Sequence, residues 1–295
     1  MSSISAEDVA ALSLHTPKQL AVQLAQTEHR IALLDLWGIN LQGARVLELG
    51  CGQGDCTAVL AEAVGPDGHV TAIDPGALTY GSPYTLGQAQ AHLSEGRLGP
   101  RITWVQATPL EFLRTNNDVP QYDVAVLAHC LWYFASPPLI AQTLRLLGTR
   151  AKKICIAEWS LNTAETHPAH AHVLAVLAQA ALECRKDPEA SLSNVRTVVS
   201  PTRIKELAAA SGLKVEREGV VTPGPGVFDG RWEALRVLGD EFVQEINDFV
   251  KDEREKSVVL ALRDAAVASV ARLENGVKGV RSMDTWVCVA SSAAD

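Results

Sequence analysis

The stretch Glu48-Leu-Gly-Cys-Gly-Gln-Gly54 brings one carboxylate and three glycines together in a few residues. Glycines at such a turn allow positive φ and leave no Cβ between backbone and ligand. Arg45 to Leu49 reads as a short buried strand, and Thr57 to Val64 as a helix. A helix opening beside the turn offers unpaired N–H groups to a polar ligand. The next strand, His69 to Asp74, ends in a second acid and is followed by Pro75 and Gly76. A carboxylate at a strand tip can accept hydrogen bonds from both hydroxyls of a ribose. Two plainer readings stand beside this one: a strand-to-helix turn with no ligand, and an acid that caps the next helix.

Other residues could act on a bound molecule. His129 should emerge from the fourth strand into the same crevice, and an imidazole with a pKa near 6.5 suits a general base. Glu158 ends the fifth strand and is a second acid–base candidate. Trp132, Tyr133 and Phe134 could wall an aromatic acceptor or belong to the core. Tyr80 and Tyr84 lie on the Gly/Pro-rich loop 75–86 and could cover the crevice. His167, His170 and His172 invite a metal, but residues two apart on a helix face different sides, so no metal site is expected. His170 is kept as a candidate contact to the acceptor.

The elements that must carry these residues alternate. Strands are expected at 45–49, 69–74, 101–106, 123–128 and 153–158, with helices between them. That spacing of βαβ units implies a doubly wound parallel sheet with right-handed crossovers. A helix over 17–37 precedes the first strand, with Thr16 as its cap and a polar stripe of Gln26, His29 and Arg30, read as a solvated face. Arg30 meeting a ligand carboxylate is the functional alternative. Beyond Glu158 come a helix from His167 or Pro168 to Arg185, a polar connection at 187–199 and a helix at 200–212. A strand at 214–221, helical stretches at 231–250 and 258–273 and a last strand at 285–290 complete the chain.

Composition narrows the partners. The 295 residues are 47% hydrophobic and 20% charged, enough for a large core, and the net charge of -8 argues against a nucleic-acid surface. No apolar run reaches the length of a membrane span, and the first residues lack the pattern of a signal peptide, so a cytoplasmic protein is expected. The six cysteines form no C-x-x-C pair and read as buried free thiols, with Cys130 the one beside the crevice. Oligomeric state is not legible, because lid helices and dimer helices look alike in sequence.

The pattern E-x-G-x-G-x-G at 48–54, followed by Asp74, resembles motif I and the ribose acid of the class I S-adenosylmethionine-dependent methyltransferases. The resemblance is close over 45–161 and extends to the last two strands by order alone. It implies a seven-stranded, mostly parallel sheet whose closing strand inserts antiparallel between the fifth and sixth. The chain then divides into a helical cap (1–43), a core (44–161), an insertion (162–199), the end of the core (200–222), a helical lid (223–283) and a last strand with its tail (284–295).

Carried over by position, the resemblance assigns the cofactor S-adenosylmethionine to Glu48, Gly50, Cys51, Gly52, Gly54, Asp74 and Pro75. Gln106, Ala107 and Thr108 fall where the family contacts adenine, often through an Asp, so Thr108 is a departure. Ala128 and His129 fall beside the methionine moiety. The implied reaction is methyl transfer to a small molecule, with oxygen as the acceptor atom and His129 near it. Holding a nucleophile in line with the methyl is worth roughly 7–11 kcal/mol at best, and a base adds on the order of 10²–10⁴ in rate. Transfer to nitrogen or carbon, a cofactor-binding protein that does not methylate, and a nicotinamide-dependent oxidoreductase remain as alternatives. The single residue between Gly52 and Gly54 is shorter than a dinucleotide turn requires.

Overall fold

In the computed structural model the described residues are 4–115, 122–164, 166–188, 191 and 193–293. Helices α1 (Ala6–Ala10) and α2 (Leu20–Trp37) precede strand β1 (Arg45–Leu49). Then follow α3 (Asp55–Val64), β2 (His69–Asp74), α4 (Leu86–Glu95), β3 (Ile102–Gln106), α5 (Pro109–Thr115), β4 (Tyr122–Ala128), α6 (Pro137–Arg150) and β5 (Ala151–Trp159). The remainder is α7 (Thr166–Glu183), α8 (Pro201–Ala210), β6 (Leu213–Val221), α9 (Asp229–Leu238), α10 (Asp240–Phe249), α11 (Glu253–Ala271) and β7 (Thr285–Ser292).

The sheet runs β3-β2-β1-β4-β5-β7-β6. The first five strands are parallel, and β7 lies antiparallel between β5 and β6. The strand order reverses between β1 and β4, and crevices outside the carboxyl ends of strands form at such points. Leu49 pairs with Leu127, and Ala128 with Ala157, so the tips of β1, β4 and β5 stand side by side.

Period-two alternation fills both faces. Leu47, Leu49, Ala125 and Leu127 pack with Leu144 and Ile204 on one side, and Val46, Val124 and Val126 with Leu33 and Leu60 on the other. A further apolar cluster joins Ala175 and Leu182 of α7 to Phe242, Ile246 and Val259, so the helices after β5 have a core of their own.

Several local expectations need correction. The helix before β1 starts at Leu20 with Gln19 at its cap, because Thr16 instead bonds the Gln19 amide oxygen. Its polar stripe is no solvated face: Gln26 and His29 are buried. His167 lies inside α7 and not before it. The expected stretch 231–250 is two helices, divided where Gly239 turns extended. Cys184 is exposed, whereas the other five thiols are buried. Residues 189, 190 and 192 of the expected polar connection lie outside the described residues.

The glycine turn is shaped by contact. Gly50 adopts φ 74°, and a Cβ there would stand 2.5 Å from the Cys130 Cβ. Gly50→Ala therefore combines left-handed strain with overpacking and should cost about 2–5 kcal/mol. Denaturant unfolding should show this as a lower midpoint at unchanged slope.

Candidate functional site

The hollow at the switch point is built from the tips of β1 and β2. Gly50, Gly52 and Gly54 hold positive φ at 74°, 53° and 97°. The Gly52 amide donates to Asp74 Oδ2 at 2.9 Å, and the Gly76 amide to Oδ1 at 2.7 Å. This ties the two strand tips together and leaves each carboxylate oxygen a second lone pair. Nothing lies within 4 Å of where a Gly52 Cβ would stand, so the hollow is open over that glycine. Gln90 holds the Gly52 carbonyl from α4 at 2.9 Å, which fixes the turn from below.

Glu48 is buried under the turn and accepts from the Thr57 hydroxyl at 2.6 Å. Burial raises its carboxyl to about 7, against the pull of that hydrogen bond. The thiol of Cys51 is also pushed up by burial and by the charges of Glu48 and Asp74, which makes it a poor nucleophile. Pro75 is exposed beyond the Asp74 tip. Gln106 and Thr108 are exposed at the β3 end, and Ala107 half-buried. Thr108 and Glu111 bond each other reciprocally at the start of α5, so the Thr108 side chain already has a structural task.

The loop 75–85 is fastened at both ends. Gln53 donates to the Tyr84 carbonyl at 2.7 Å, and the Tyr80 hydroxyl to Asn194 at 3.0 Å. Tyr80 thus reaches from the loop to the connection after α7, while Tyr84 is half-buried beside the glycine turn.

At the tips of β4 and β5 a second group gathers. His129 sits at φ 55°, a left-handed conformation uncommon for a residue with a Cβ, and its amide donates to the Ala157 carbonyl. The turn aims the imidazole back over the sheet, where Nδ1 lies 3.7 Å from Glu158 Oε1. Glu158 is buried and accepts from the amides of Leu131, Trp132 and Trp159 at 2.9, 3.4 and 3.0 Å. Burial outweighs those three donors and holds its carboxyl at about 7. Trp132 is buried with its indole on the Val199 carbonyl. Tyr133 beside it is 49% exposed. Burial and then the charges of Asp229, Glu233 and Glu158 push its hydroxyl up.

Trp159 is the centre of this group. His29 stacks on it at 6.2 Å, His129 tilts over it at 4.2 Å and His172 meets its edge at 5.1 Å. His172 Nδ1 accepts from the Met283 amide at 3.0 Å, so its neutral ring carries hydrogen on Nε2. His170 points outward from the same helix and is exposed.

Sequence reasoning passed over His29, Gln26, Asp229 and Glu233. Gln26 donates to Asp229 at 2.9 Å and Gln179 to Glu233 at 2.7 Å, joining α2 and α7 to α9. Burial raises both carboxyls. The spacing of Gln23, Gln26 and Arg30 on α2 was the available signal, since these positions share one helix face. The Arg30 guanidinium forms no hydrogen bond or ion pair among the described residues, yet its charge reaches Glu48, His129, Glu158 and Asp229.

Comparison with known proteins agrees with this frame. A family model described as a methyltransferase domain matches residues 46–153. The methyltransferase phomM' of Diaporthe leptostromiformis is 31% identical, over 82% of this chain and 71% of its own. A cyclopropane-fatty-acyl-phospholipid synthase-like protein from Lactobacillus casei superposes with a TM-score of 0.82 at 29% identity, covering 97% of this chain and 98% of that one. A coclaurine N-methyltransferase, at 13% identity and a TM-score of 0.51 over 91% of this chain and 73% of its own, shares the fold. The chain belongs to the class I S-adenosylmethionine-dependent methyltransferases, and its cofactor is S-adenosylmethionine.

The residues present fit that cofactor. Gly52 leaves room where any side chain would intrude, and Asp74 keeps free lone pairs beside it for a nucleoside's hydroxyls.

Burial sets a pH dependence. His172 is depressed from 6.5 to about 3 by burial, so the native state stays neutral where the unfolded chain takes up a proton. Its stabilising contribution is complete above 6.5 and is lost as pH falls toward 3, at up to about 1.4 kcal/mol per pH unit. His172→Asn, which keeps an acceptor for the Met283 amide, should flatten that part of the stability profile. Urea unfolding of both proteins across pH 4–7 would measure it, and equal slopes would contradict the assignment.

Proposed function

We propose that this methyltransferase acts on a small organic acceptor, with oxygen as the methylated atom. The cofactor would lie across the tips of β1 and β2, its ribose on Asp74 and its amino-acid tail over Gly50, Gly52 and Gly54. Arg30, a cation without an ion-pair partner among the described residues, would meet the tail's carboxylate, a role supported by its charge reaching Glu48 under the turn. When bound, S-adenosylmethionine supplies an electrophilic methyl group. The chain's own residues then orient the acceptor, exclude water and remove its proton.

The observation that carries the reading is the Gly52–Asp74 bond of 2.9 Å beside an open glycine, which joins the motif I turn to the ribose acid. For the acceptor, support comes from the place of His129. Its ring stands at the β4 tip with Glu158 3.7 Å behind Nδ1. Burial and the Arg30 charge keep His129 well below the usual imidazole range, so its resting ring is neutral. Glu158, once ionised, would stabilise the resulting imidazolium. Tyr133, Asp229 and Glu233 would line the acceptor hollow, and the helices α7 and α9–α11 would form its lid.

A second reading, transfer to nitrogen, draws on one observation. Asp229 and Glu233 share a face of α9, and neither is ion-paired among the described residues. Such a wall suits an amine.

The test is release of S-adenosylhomocysteine from S-adenosylmethionine over a panel of phenols, alcohols and amines. Turnover of hydroxyl compounds is expected, with His129→Ala lowering kcat by roughly 10²–10⁴ while calorimetry still detects cofactor binding. Turnover of amines alone would replace the oxygen reading, and no heat on titrating S-adenosylmethionine would end both.

A further inference from the structure

The two histidines that meet at the β4 tip are more than neighbours. His29 Nε2 and His129 Nε2 lie 3.1 Å apart, a hydrogen-bond distance at which one nitrogen must carry the proton and the other a lone pair. Which is which can be derived from what surrounds them.

His129 Nδ1 faces Glu158 Oε1 at 3.7 Å, and His129 Nδ1 and His29 Nδ1 are buried without a hydrogen-bond partner. Suppose His129 donated from Nε2. Its bare Nδ1 would then face a carboxylate, and His29 would bury an N–H at Nδ1 with nothing to receive it. Orphaned buried N–H groups are the rarer and costlier defect. The opposite arrangement removes both difficulties. His29 donates from Nε2, His129 carries its proton on Nδ1 toward Glu158, and the basic lone pair of His129 is on Nε2. Thr285 Oγ1 lies 3.3 Å from the same His29 Nε2, so the donated hydrogen has a second acceptor within reach.

We infer that His29 is a positioning residue for the transfer: Glu158 keeps the His129 proton on Nδ1, and the His29 Nε2–H bonds the basic Nε2 of His129 and covers it until an acceptor hydroxyl takes that place, when the hydrogen turns to Thr285. The inference rests on the proposed transfer to oxygen. The proton step balances. The acceptor O–H bond breaks, its proton bonds to His129 Nε2, and the oxygen keeps the electron pair for the methyl carbon. The imidazolium so formed presents Nδ1–H to Glu158. Thr285 pairs with Trp159 across β7 and β5, so the alternative acceptor is fixed by the sheet itself. His29 cannot drift either, since it is buried against Trp159 on a helix whose Trp37 indole is bonded to the Ile156 carbonyl.

The arrangement can be read without knowing the acceptor. In the full-length protein labelled with ¹⁵N-histidine and saturated with S-adenosylhomocysteine, long-range ¹H–¹⁵N spectra at pH 7.5 report each ring's tautomer. Nδ1–H is expected for His129, and Nε2–H for His29. His29→Leu, which leaves Glu158 beside Nδ1, should keep the Nδ1–H form of His129 but move its Nε2 resonance toward that of an unbonded imidazole nitrogen, whereas His29→Gln, which replaces the donor with an amide N–H, should hold that resonance near its wild-type position. Thermal unfolding and cofactor affinity would confirm that both variants are folded. An Nε2–H tautomer at His129 in the wild type, or a His129 Nε2 resonance that does not move in folded His29→Leu, overturns the inference. Should the tautomers be as stated while no hydroxyl compound is methylated, the oxygen reading fails by itself and the role of His29 in it falls too.

Discussion

The carboxylate of Asp74 bridges two backbone amides, Gly52 on the first strand's turn and Gly76 after its own strand. Charge-assisted bonds of this kind are roughly twice as strong as neutral ones, and here they set the distance between two strand tips. The hollow depends on that distance. Gly54 closes one side, where a Cβ would strike the Trp104 ring at 2.7 Å, and Gly50 closes the other against Cys130. Gly52 is left as the open position between them. The whole glycine pattern follows from packing on two sides and access on the third, and not from flexibility.

A second centre, around Trp159, ties the added helices to the sheet. Histidines from α2, the β4 tip and α7 meet one indole ring, and burial holds all three well below the usual imidazole range. Neutral rings can be buried with few partners, whereas charged ones would need counter-ions. The helices therefore dock by aromatic packing and single hydrogen bonds such as Met283 to His172. Gly230 allows α9 equally close contact, since a Cβ there would meet the Arg281 carbonyl at 2.5 Å. These contacts put Asp229 and Glu233 within electrostatic reach of Tyr133, far away in sequence.

Much of this was legible in the residues. Short, largely apolar segments such as Val46–Leu49 and Val124–Leu127 fit strands covered on both faces, and their alternation with helices points to a parallel sheet. The acid-and-glycine turn with Asp74 pointed to a nucleoside-binding crevice for the same local reasons that the structure displays. What could not be read is whatever depends on long-range docking. Gln26 and His29 have the composition of a solvated stripe, and only the approach of α9 and β5 buries them. His170 and His172 are equivalent as letters, but the helix phase sends the first to solvent and the second to Trp159. Thr108, where the family often has an acid, bonds Glu111 within its own turn.

The central claim is spatial: the nucleoside lies over Gly52 with its sugar on Asp74. A crystal structure of the complex with S-adenosylhomocysteine measures it directly. The account predicts both ribose hydroxyls within about 3 Å of the Asp74 oxygens and the amino-acid portion over the glycine turn toward Arg30. A ligand bound elsewhere, or a ribose whose hydroxyls are held by other side chains while Asp74 bonds only its two amides, would contradict it.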